Sequence, residues 1–221
     1  MKIIELLEAI VKPKIELPKQ FRGTLKDNRF NGIEAFSKVR DKRNDPHLIQ
    51  KYSHTPMTSE WEEGFMLFTK YIVKHDLMDN IFFPKIYKVG QIKDANGKHI
   101  DKYDIERLEQ TTSLSHDEFV AIYDKIFNNP PKVYNERVLA SQLHNAIEHF
   151  DGSNIKDPEL LTALEAINKL ANEVKRKYLK LHVTVNVDIH SDNIMIRRTP
   201  YGPQLVINDP LAVLRNRSRY F

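Results

Sequence analysis

Three oxygen-bearing side chains stand where apolar runs end in the last third of the chain. Asp188 and Asn193 enclose a polar turn between two apolar runs, and Asp209 follows a third run at residues 205–207. A carboxylate can accept the proton of a hydroxyl, and oxygen atoms are the ligands that Mg²⁺ prefers. Phosphoryl transfer needs a hydroxyl held in line and magnesium that bridges the phosphates. The three residues predict chemistry of that kind.

Two other interpretations of the same stretch stay open. Apolar and polar residues alternate over residues 183–190, which is also typical of a half-buried strand in a plain hairpin. Asp188, His190 and Asp192 alternate as well, so they would share one strand face and could form a metal site. No second cluster of histidine or cysteine completes a zinc ligand set in the sequence.

The spacing of Asp188 and Asn193, with four residues between them, resembles the catalytic loop of protein kinases. The resemblance implies that Asp188 accepts the proton of the substrate hydroxyl and that Asn193 and Asp209 hold magnesium. His190 stands two residues after Asp188, where many protein kinases have a lysine. Aminoglycoside and choline kinases are similar in having histidine there, so His190 is a further catalytic candidate.

Residues 185–212 look most similar to the small early serine/threonine kinases encoded by bacteriophages. Those kinases carry Asp-x-His-Ser-Gly-Asn-Ile-Met and then Ile-Thr-Asp-Pro; residues 188–195 read DIHSDNIM and residues 207–210 read INDP. The resemblance implies ATP and Mg²⁺ as cofactors, transfer to serine or threonine, and autophosphorylation. It also implies host bacterial proteins as substrates and the host cell cytoplasm as the location.

Residues upstream match the places of a kinase nucleotide site. Gly32 and Phe36 would cover the nucleotide in a hairpin, and Lys51 would pair with the α- and β-phosphates. A glutamate of the following helix should steady Lys51, and Glu60 and Glu63 compete for that role. Glu63 is slightly favoured because it lies one turn deeper in the helix, although nearer its solvent face.

The resemblance further implies that the backbone at Glu106 to Leu108 hydrogen-bonds the adenine and that the polar residues 109–113 form an inter-lobe hinge. We therefore expect a two-lobed, protein-kinase-like α+β fold, with an N-lobe at residues 1–110 and a C-lobe at residues 111–221. The N-lobe should hold an antiparallel sheet and one helix. The C-lobe should be mostly helical and truncated, because residues 211–221 leave no room for an activation segment.

Local signals predict the elements. Ser115 and Glu118 form a capping box that opens a helix to about residue 127, and Asp157 before Pro158 opens a long helix through Lys180. The remaining predictions are helices at 59–74 and 134–150, the second closed by Gly152, and strands at 46–52, 82–90 and 102–108.

Composition restricts the classes of function. The 221 residues are 41% hydrophobic and 29% charged, as in ordinary globular proteins, and no apolar run is long enough to imply a membrane. The absence of cysteine excludes thiol chemistry. A net charge of +4 suits anionic ligands such as nucleotides but is too small to predict direct nucleic-acid binding. A small-molecule kinase and a pseudokinase-like protein that inhibits a host partner remain rival functions.

Overall fold

The computed structural model of the chain describes residues 15–16, 37–42, 45–54, 63–93, 99–149, 151–181 and 183–215. Within these residues the fold is mixed, with four α-helices and small, mainly antiparallel sheets. This arrangement agrees with the predicted α+β class.

The helices are α1 (Gly64–Lys74), α2 (His116–Ile126), α3 (Glu136–Glu148) and α4 (Pro158–Lys177). Two 3-10 turns span Thr111–Ser113 and Ser191–Asn193. The strands are β1 (Ile15–Glu16), β2 (Ser37–Asp41), β3 (Leu48–His54), β4 (Ile86–Lys93), β5 (His99–Glu106), β6 (Glu109–Gln110), β7 (Val183–Val187), β8 (Ile194–Thr199), β9 (Gly202–Ile207) and β10 (Leu211–Arg215).

The chain divides into two compact units. The first contains residues 1–66 and 85–107, and the second contains residues 67–84 and 108–221. The chain therefore changes units after Met66, after Pro84 and after Arg107. Residues 67–84 belong to the second unit, although they lie in the sequence between two stretches of the first.

The first unit is built on one five-stranded sheet in the order β1-β4-β5-β3-β2. Its neighbours are antiparallel except for β1 and β4, which run parallel. Lys51 lies at the centre of β3, directly opposite Tyr103 of β5. The ring of Tyr103 meets the ring of Phe65 edge-on, with centroids 5.1 Å apart. The first turn of α1 therefore covers the sheet face that carries Lys51.

The second unit combines a β-hairpin, a strand pair and three whole helices. Strands β8 and β9 form the hairpin, β6 pairs with β8, and β10 pairs with β7. Helices α3 and α4 pack on each other and against β7. Their buried residues recur at helical spacing, because each helix turns one apolar stripe to the core; these residues are Leu139, Leu143, Ile147, Leu160, Leu164, Ile167 and Leu170.

The helix starts confirm the capping predictions. The hydroxyl of Ser115 accepts the backbone N–H of Glu118 at 3.3 Å, and the carboxylate of Glu118 accepts the backbone N–H of Ser115 at 2.8 Å. Asp157 accepts two backbone N–H groups of the first turn of α4, at 2.9 and 3.1 Å, with Pro158 at the first helical position. Each cap satisfies donors that the helix itself leaves unpaired.

Strand boundaries differ from the predictions around residue 84. The strand predicted at 82–90 spans Ile86–Lys93 instead. Phe82 and Phe83 are buried in the second unit, where the carbonyl oxygen of Phe82 accepts the N–H of Ile207 at 2.8 Å. Pro84, which follows them, has no N–H to give to a strand ladder. The strands predicted at 46–52 and 102–108 span Leu48–His54 and His99–Glu106.

The predicted role of Gly152 is wrong. Helix α3 already ends at Glu148 with His149 as its C-cap, and among the described glycines only Gly202 has a positive φ. A Cβ placed on Gly152 would lie 2.3 Å from Cδ1 of Leu161, on α4. Glycine there leaves space for the end of the Leu161 side chain and does not form a left-handed cap.

Candidate active site

The turn between β7 and β8 carries the first of the predicted catalytic residues. Strand β7 ends at Val187, and the 3-10 turn Ser191–Asn193 leads directly into β8. Val187 and Ile189 are buried, and between them the side chain of Asp188 is 38% exposed. Two apolar neighbours thus anchor the turn while Asp188 keeps access to solvent. Because the strand ends before Asp188, the expected strand face made by Asp188, His190 and Asp192 does not exist.

Asn193 closes this turn through its side-chain amide. Its Nδ2 donates to the backbone oxygen of Asp188 at 2.8 Å and to Oδ2 of the same residue at 3.2 Å. Both partners are acceptors, so the nitrogen of the amide must face them. The amide oxygen of Asn193 therefore points away from Asp188, and that oxygen is the atom that could coordinate a cation.

Asp209 is held beside the turn by its two neighbours. The backbone N–H of Asn208 donates to the carbonyl oxygen of Asn193 at 2.9 Å, and the N–H of Asp188 donates to the carbonyl oxygen of Pro210 at 2.8 Å. Strand β10 then pairs with β7, starting with Leu211 opposite Val187. These bonds connect both ends of the turn to the residues on either side of Asp209.

The electrostatic state of Asp188 reflects this arrangement. Partial burial raises the pKa of the Asp188 carboxyl above its usual value, and the negative charge of Asp209 raises it further. The hydrogen bond from Asn193 and the nearby His190 and His144 act in the opposite direction. A carboxylate with a raised pKa is a better proton acceptor than an ordinary aspartate, as a general base requires.

His190, the further catalytic candidate, lies beside Asp188 and Asn193. Its Nε2 lies 3.5 Å from Oδ1 of Asp188 and 3.1 Å from Nδ2 of Asn193. Its Nδ1 accepts the backbone N–H of Asp192 at 3.2 Å. The turn therefore brings together Asp188, His190 and Asn193.

One residue near Asp188 was missed by the sequence analysis. Helix α3 packs against the Ser191–Asn193 turn and against β7. It carries His144, whose charge lowers the pKa of Asp188 and whose Nε2 lies 3.3 Å from Oε2 of Glu148. No motif connects His144 to Asp188, because only the packing of α3 brings the two residues near each other.

In the first unit, Lys51 and Glu63 are both buried, with 4% and 7% of their surface exposed. The Nζ of Lys51 lies 3.9 Å from the ring centroid of Phe65. Glu63 immediately precedes α1, and its Oε2 accepts the backbone N–H of Met66 at 3.2 Å. The expectation that Glu63 lies near the solvent face is therefore wrong. Burial of both charged groups is stable only when each is paired or hydrogen-bonded.

The expected adenine-binding segment is partly engaged by the protein itself. The N–H of Glu106 donates to the carbonyl oxygen of Lys85 at 3.0 Å, and the N–H of Arg107 donates to that of His47 at 2.8 Å. Leu108 is half-buried at the start of the second unit. The residues expected to form the hinge, 109–113, consist of β6 and a 3-10 turn.

Three of the expected nucleotide-site residues, Gly32, Phe36 and Glu60, lie outside the described residues.

The donor atoms of the turn fit magnesium in one particular way. Within the described part of the chain, no group of three or more His, Cys, Asp or Glu residues could hold a metal ion. Asn193 and Asp209 offer one amide oxygen and one carboxylate. Mg²⁺ at phosphoryl-transfer sites is commonly held by one or two protein oxygens together with substrate phosphates and water. The pair fits magnesium that arrives with a phosphate ligand and does not form a cage for a resident metal.

Comparison with known proteins leaves this geometry as the main guide to function. The chain matches no protein-family model and no curated protein. None of the described helices is long and apolar enough to cross a membrane.

Proposed function

We propose that this protein is an ATP- and Mg²⁺-dependent phosphotransferase, of the type of the bacteriophage serine/threonine kinases, that modifies host proteins and itself. The observation that carries the proposal is the closure of the turn by Asn193. Its amide nitrogen holds both the backbone oxygen and the carboxylate of Asp188, at 2.8 and 3.2 Å, and its amide oxygen points away. One side chain thereby orients a proton acceptor and presents a magnesium ligand.

In this proposal the residues of the turn have separate roles. Magnesium-bound ATP supplies the phosphoryl group when it is present. Asp188 orients the acceptor hydroxyl and takes its proton on the carboxylate as the hydroxyl oxygen attacks. Asn193 and Asp209 hold the metal ion. The Nε2 of His190, 3.5 Å from Oδ1 of Asp188, restrains the orientation of that carboxylate.

Roles in the first unit are proposed from that unit alone. Lys51 binds the α- and β-phosphates, and Glu63 steadies its ammonium group. Support comes from their common burial and from Phe65, two residues after Glu63, whose ring lies 3.9 Å from the Nζ of Lys51. The N–H of Glu106 is already bonded to Lys85, so we propose that the backbone of Leu108 binds the adenine.

A small-molecule kinase is the second candidate, because His190 stands where aminoglycoside and choline kinases also have histidine. The phage kinases have histidine there too, so His190 agrees with both candidates. The identity of the phosphorylated acceptor therefore separates the two candidates.

The test compares two single substitutions. Asp188→Asn should reduce phosphoryl transfer by about 10²-fold or more, roughly 2.7 kcal/mol of transition-state stabilisation, and should leave ATP–Mg²⁺ binding nearly intact. Asp209→Asn should abolish both transfer and binding, because the metal ion loses its carboxylate ligand. Transfer is measured with labelled ATP and host lysate or aminoglycoside acceptors, and binding by thermal shift.

Asp192→Asn is the matched control, because Asp192 lies in the same turn with 81% of its side chain exposed. It should keep both activities. Full transfer activity in Asp188→Asn would place the proton acceptor elsewhere and contradict the proposal. Full biological effect in the host for both Asp188→Asn and Asp209→Asn would favour a binding protein that does not use catalysis.

A further inference from the structure

The sheet of the first unit has a second face, opposite the one that carries Lys51. Residues directly opposite each other in a ladder share a face. In the ladder, Lys88 is opposite Asp104, Gly90 is opposite Lys102, and Lys102 is opposite Tyr52. These residues therefore lie together on the second face. Tyr103 and Lys51 occupy the other face.

A β-bulge is what puts Lys88 there. Ile86 pairs with Ile105 and Lys88 with Asp104, so that Tyr87 is an extra residue in β4. Without this insertion Ile86 and Lys88 would point to the same side, because side chains alternate along a strand. The bulge keeps Ile86 on the covered face and transfers Lys88 to the other one. Tyr87 itself is 60% exposed.

Positive charge accumulates on this face. The Nζ of Lys42 lies 3.0 Å from Oδ2 of Asp104, whose Oδ1 accepts the side-chain amide of Gln50 at 3.0 Å. Asp104 is thus already satisfied by two partners, whereas no side-chain hydrogen bond or ion pair joins Lys88 or Lys102 to another residue within the described part of the chain. Burial lowers the pKa of Lys102, and the charges of Lys88 and Lys42 lower it further, opposed by Asp104.

The other acidic residue of this face, Glu106, is buried, and its Oε1 accepts the backbone N–H of Lys85 at 2.8 Å. The face therefore carries three lysines, Lys42, Lys88 and Lys102, against two carboxylates, which leaves an excess of positive charge. Like charges held close together on a sheet oppose folding, and an external anion would relieve that repulsion.

The same place offers room for a ligand. Among the residues that the structure describes, no atom lies within 4 Å of a Cβ built on Gly90, so they leave room at the position opposite Lys102. The exposed ring of Tyr87 adjoins Lys88 in sequence and offers an apolar surface next to the charge. Tyrosine and lysine side by side can bind a segment that carries both carboxylates and apolar side chains.

We propose that this surface, the lysine face formed by Lys42, Lys88 and Lys102 with Gly90 and Tyr87, docks an acidic, extended segment of a partner protein. Carboxylates of the segment bind Lys88 and Lys102, and its backbone lies over Gly90. The lysine face is in the first unit and does not contain the catalytic turn, so it acts whether or not the proposed phosphoryl transfer occurs.

The small number of unpaired lysines on this face favours an acidic peptide over a nucleic acid as the ligand. Tight binding to nucleic acid needs many phosphate contacts, commonly about 6–10. The lysine face offers two unpaired lysines, and Asp104 beside them repels a continuous row of phosphates. Separate carboxylates on a flexible peptide can avoid Asp104 and still reach both lysines.

The test uses a short fluorescein-labelled peptide rich in aspartate and glutamate, measured by anisotropy at low salt. The full chain should bind it, and added salt should weaken binding. Lys88→Glu combined with Lys102→Gln should weaken binding by about tenfold or more. The matched control, Lys175→Glu combined with Lys180→Gln, changes the net charge equally at exposed positions around the end of α4 and should bind like the unmodified chain.

Equal loss of binding in the two double variants would overturn the proposal, because it would show a response to net charge alone. A single-stranded oligonucleotide of the same charge is also tested. If it binds more tightly than the peptide and the lysine-face variant loses that binding, the ligand is a nucleic acid and the proposal is overturned. If the double variant does not fold, Lys88→Gln with Tyr87→Ser replaces it. Unchanged peptide binding in that variant would also overturn the proposal.

Discussion

At the scale of a single residue, Asp188 carries a charge that the fold disfavours. Burial and the charge of Asp209 raise the pKa of its carboxyl, while His190, Asn193 and His144 lower it. The net direction is upward, so the folded state holds the proton of Asp188 more tightly than the unfolded state does. A charge that the fold disfavours is typical of residues selected for reactivity rather than for stability.

The first prediction follows from the sign of that shift. Because the folded pKa is raised, the stability of the natural chain falls as pH rises from the unfolded pKa of about 3.9 through the higher folded value. Asp188→Asn removes this loss. We expect the variant to be more stable than the natural chain at neutral pH, with the difference vanishing below about pH 4. Urea denaturation of magnesium-free protein at several pH values measures it.

Asp192→Asn serves again as the control, because Asp192 lies in the same turn with 81% of its side chain exposed. A lower stability of Asp188→Asn at neutral pH would mean that the contacts of Asp188 with Asn193 and His190 outweigh its burial.

At the scale of elements, the candidate site depends on how short segments are joined. Two backbone hydrogen bonds, at 2.8 and 2.9 Å, connect the ends of the Asp188–Asn193 turn to residues 208–210. The turn is further supported by α3, which itself approaches α4. A change in the α3–α4 connection can therefore affect stability without touching a functional side chain.

Gly152 provides the second prediction, in that connection. Gly152→Ala places a Cβ 2.3 Å from Cδ1 of Leu161, and the flexible end of that half-buried side chain must move. The substitution should therefore destabilise the chain by about 1 kcal/mol or less. In a Leu161→Ala background the added cost of Gly152→Ala should largely disappear, which a double-mutant cycle in urea measures.

Gly90→Ala is the matched control, because a Cβ at Gly90 meets nothing within 4 Å. It should leave stability unchanged or slightly raise it, since alanine suits a strand better than glycine. Equal costs of Gly152→Ala in both backgrounds would show that backbone conformation, not contact with Leu161, makes glycine necessary.

At the scale of the whole molecule, the chain changes units three times, so that each unit is built from segments far apart in the sequence. Binding should therefore be measured on the full chain, because neither unit has been shown to fold alone.

The third prediction concerns ATP. If the proposed function holds, ATP with Mg²⁺ at a hundred times its dissociation constant should stabilise the fold by about 2.7 kcal/mol. For a chain of this size that corresponds to a rise in Tm of about 5–10 °C. Magnesium alone should have little effect, because Asn193 and Asp209 provide few ligands without the phosphates. The absence of a shift at millimolar ATP and Mg²⁺ would contradict any kinase-like site.

The sequence by itself determined the features that depend on near neighbours. The starts of α2 and α4 were predictable, because a capping side chain bonds to backbone groups within three residues of itself. The turn at Asp188 and Asn193 was predictable for a similar reason, since five residues of chain bring the two side chains within hydrogen-bonding distance. The α+β class followed from apolar spacing, which reports helix and strand directly.

Only the tertiary structure decided the features that depend on distant segments. Whether Phe82 and Phe83 belong to a strand or to the core of the second unit depends on the partner that buries them. The one-residue bulge at Tyr87 transfers Lys88 to another face, and His144 comes near Asp188 only through the packing of α3. The local sequence pattern does not predict these features, because strand register and burial are set by contacts between residues far apart in the chain.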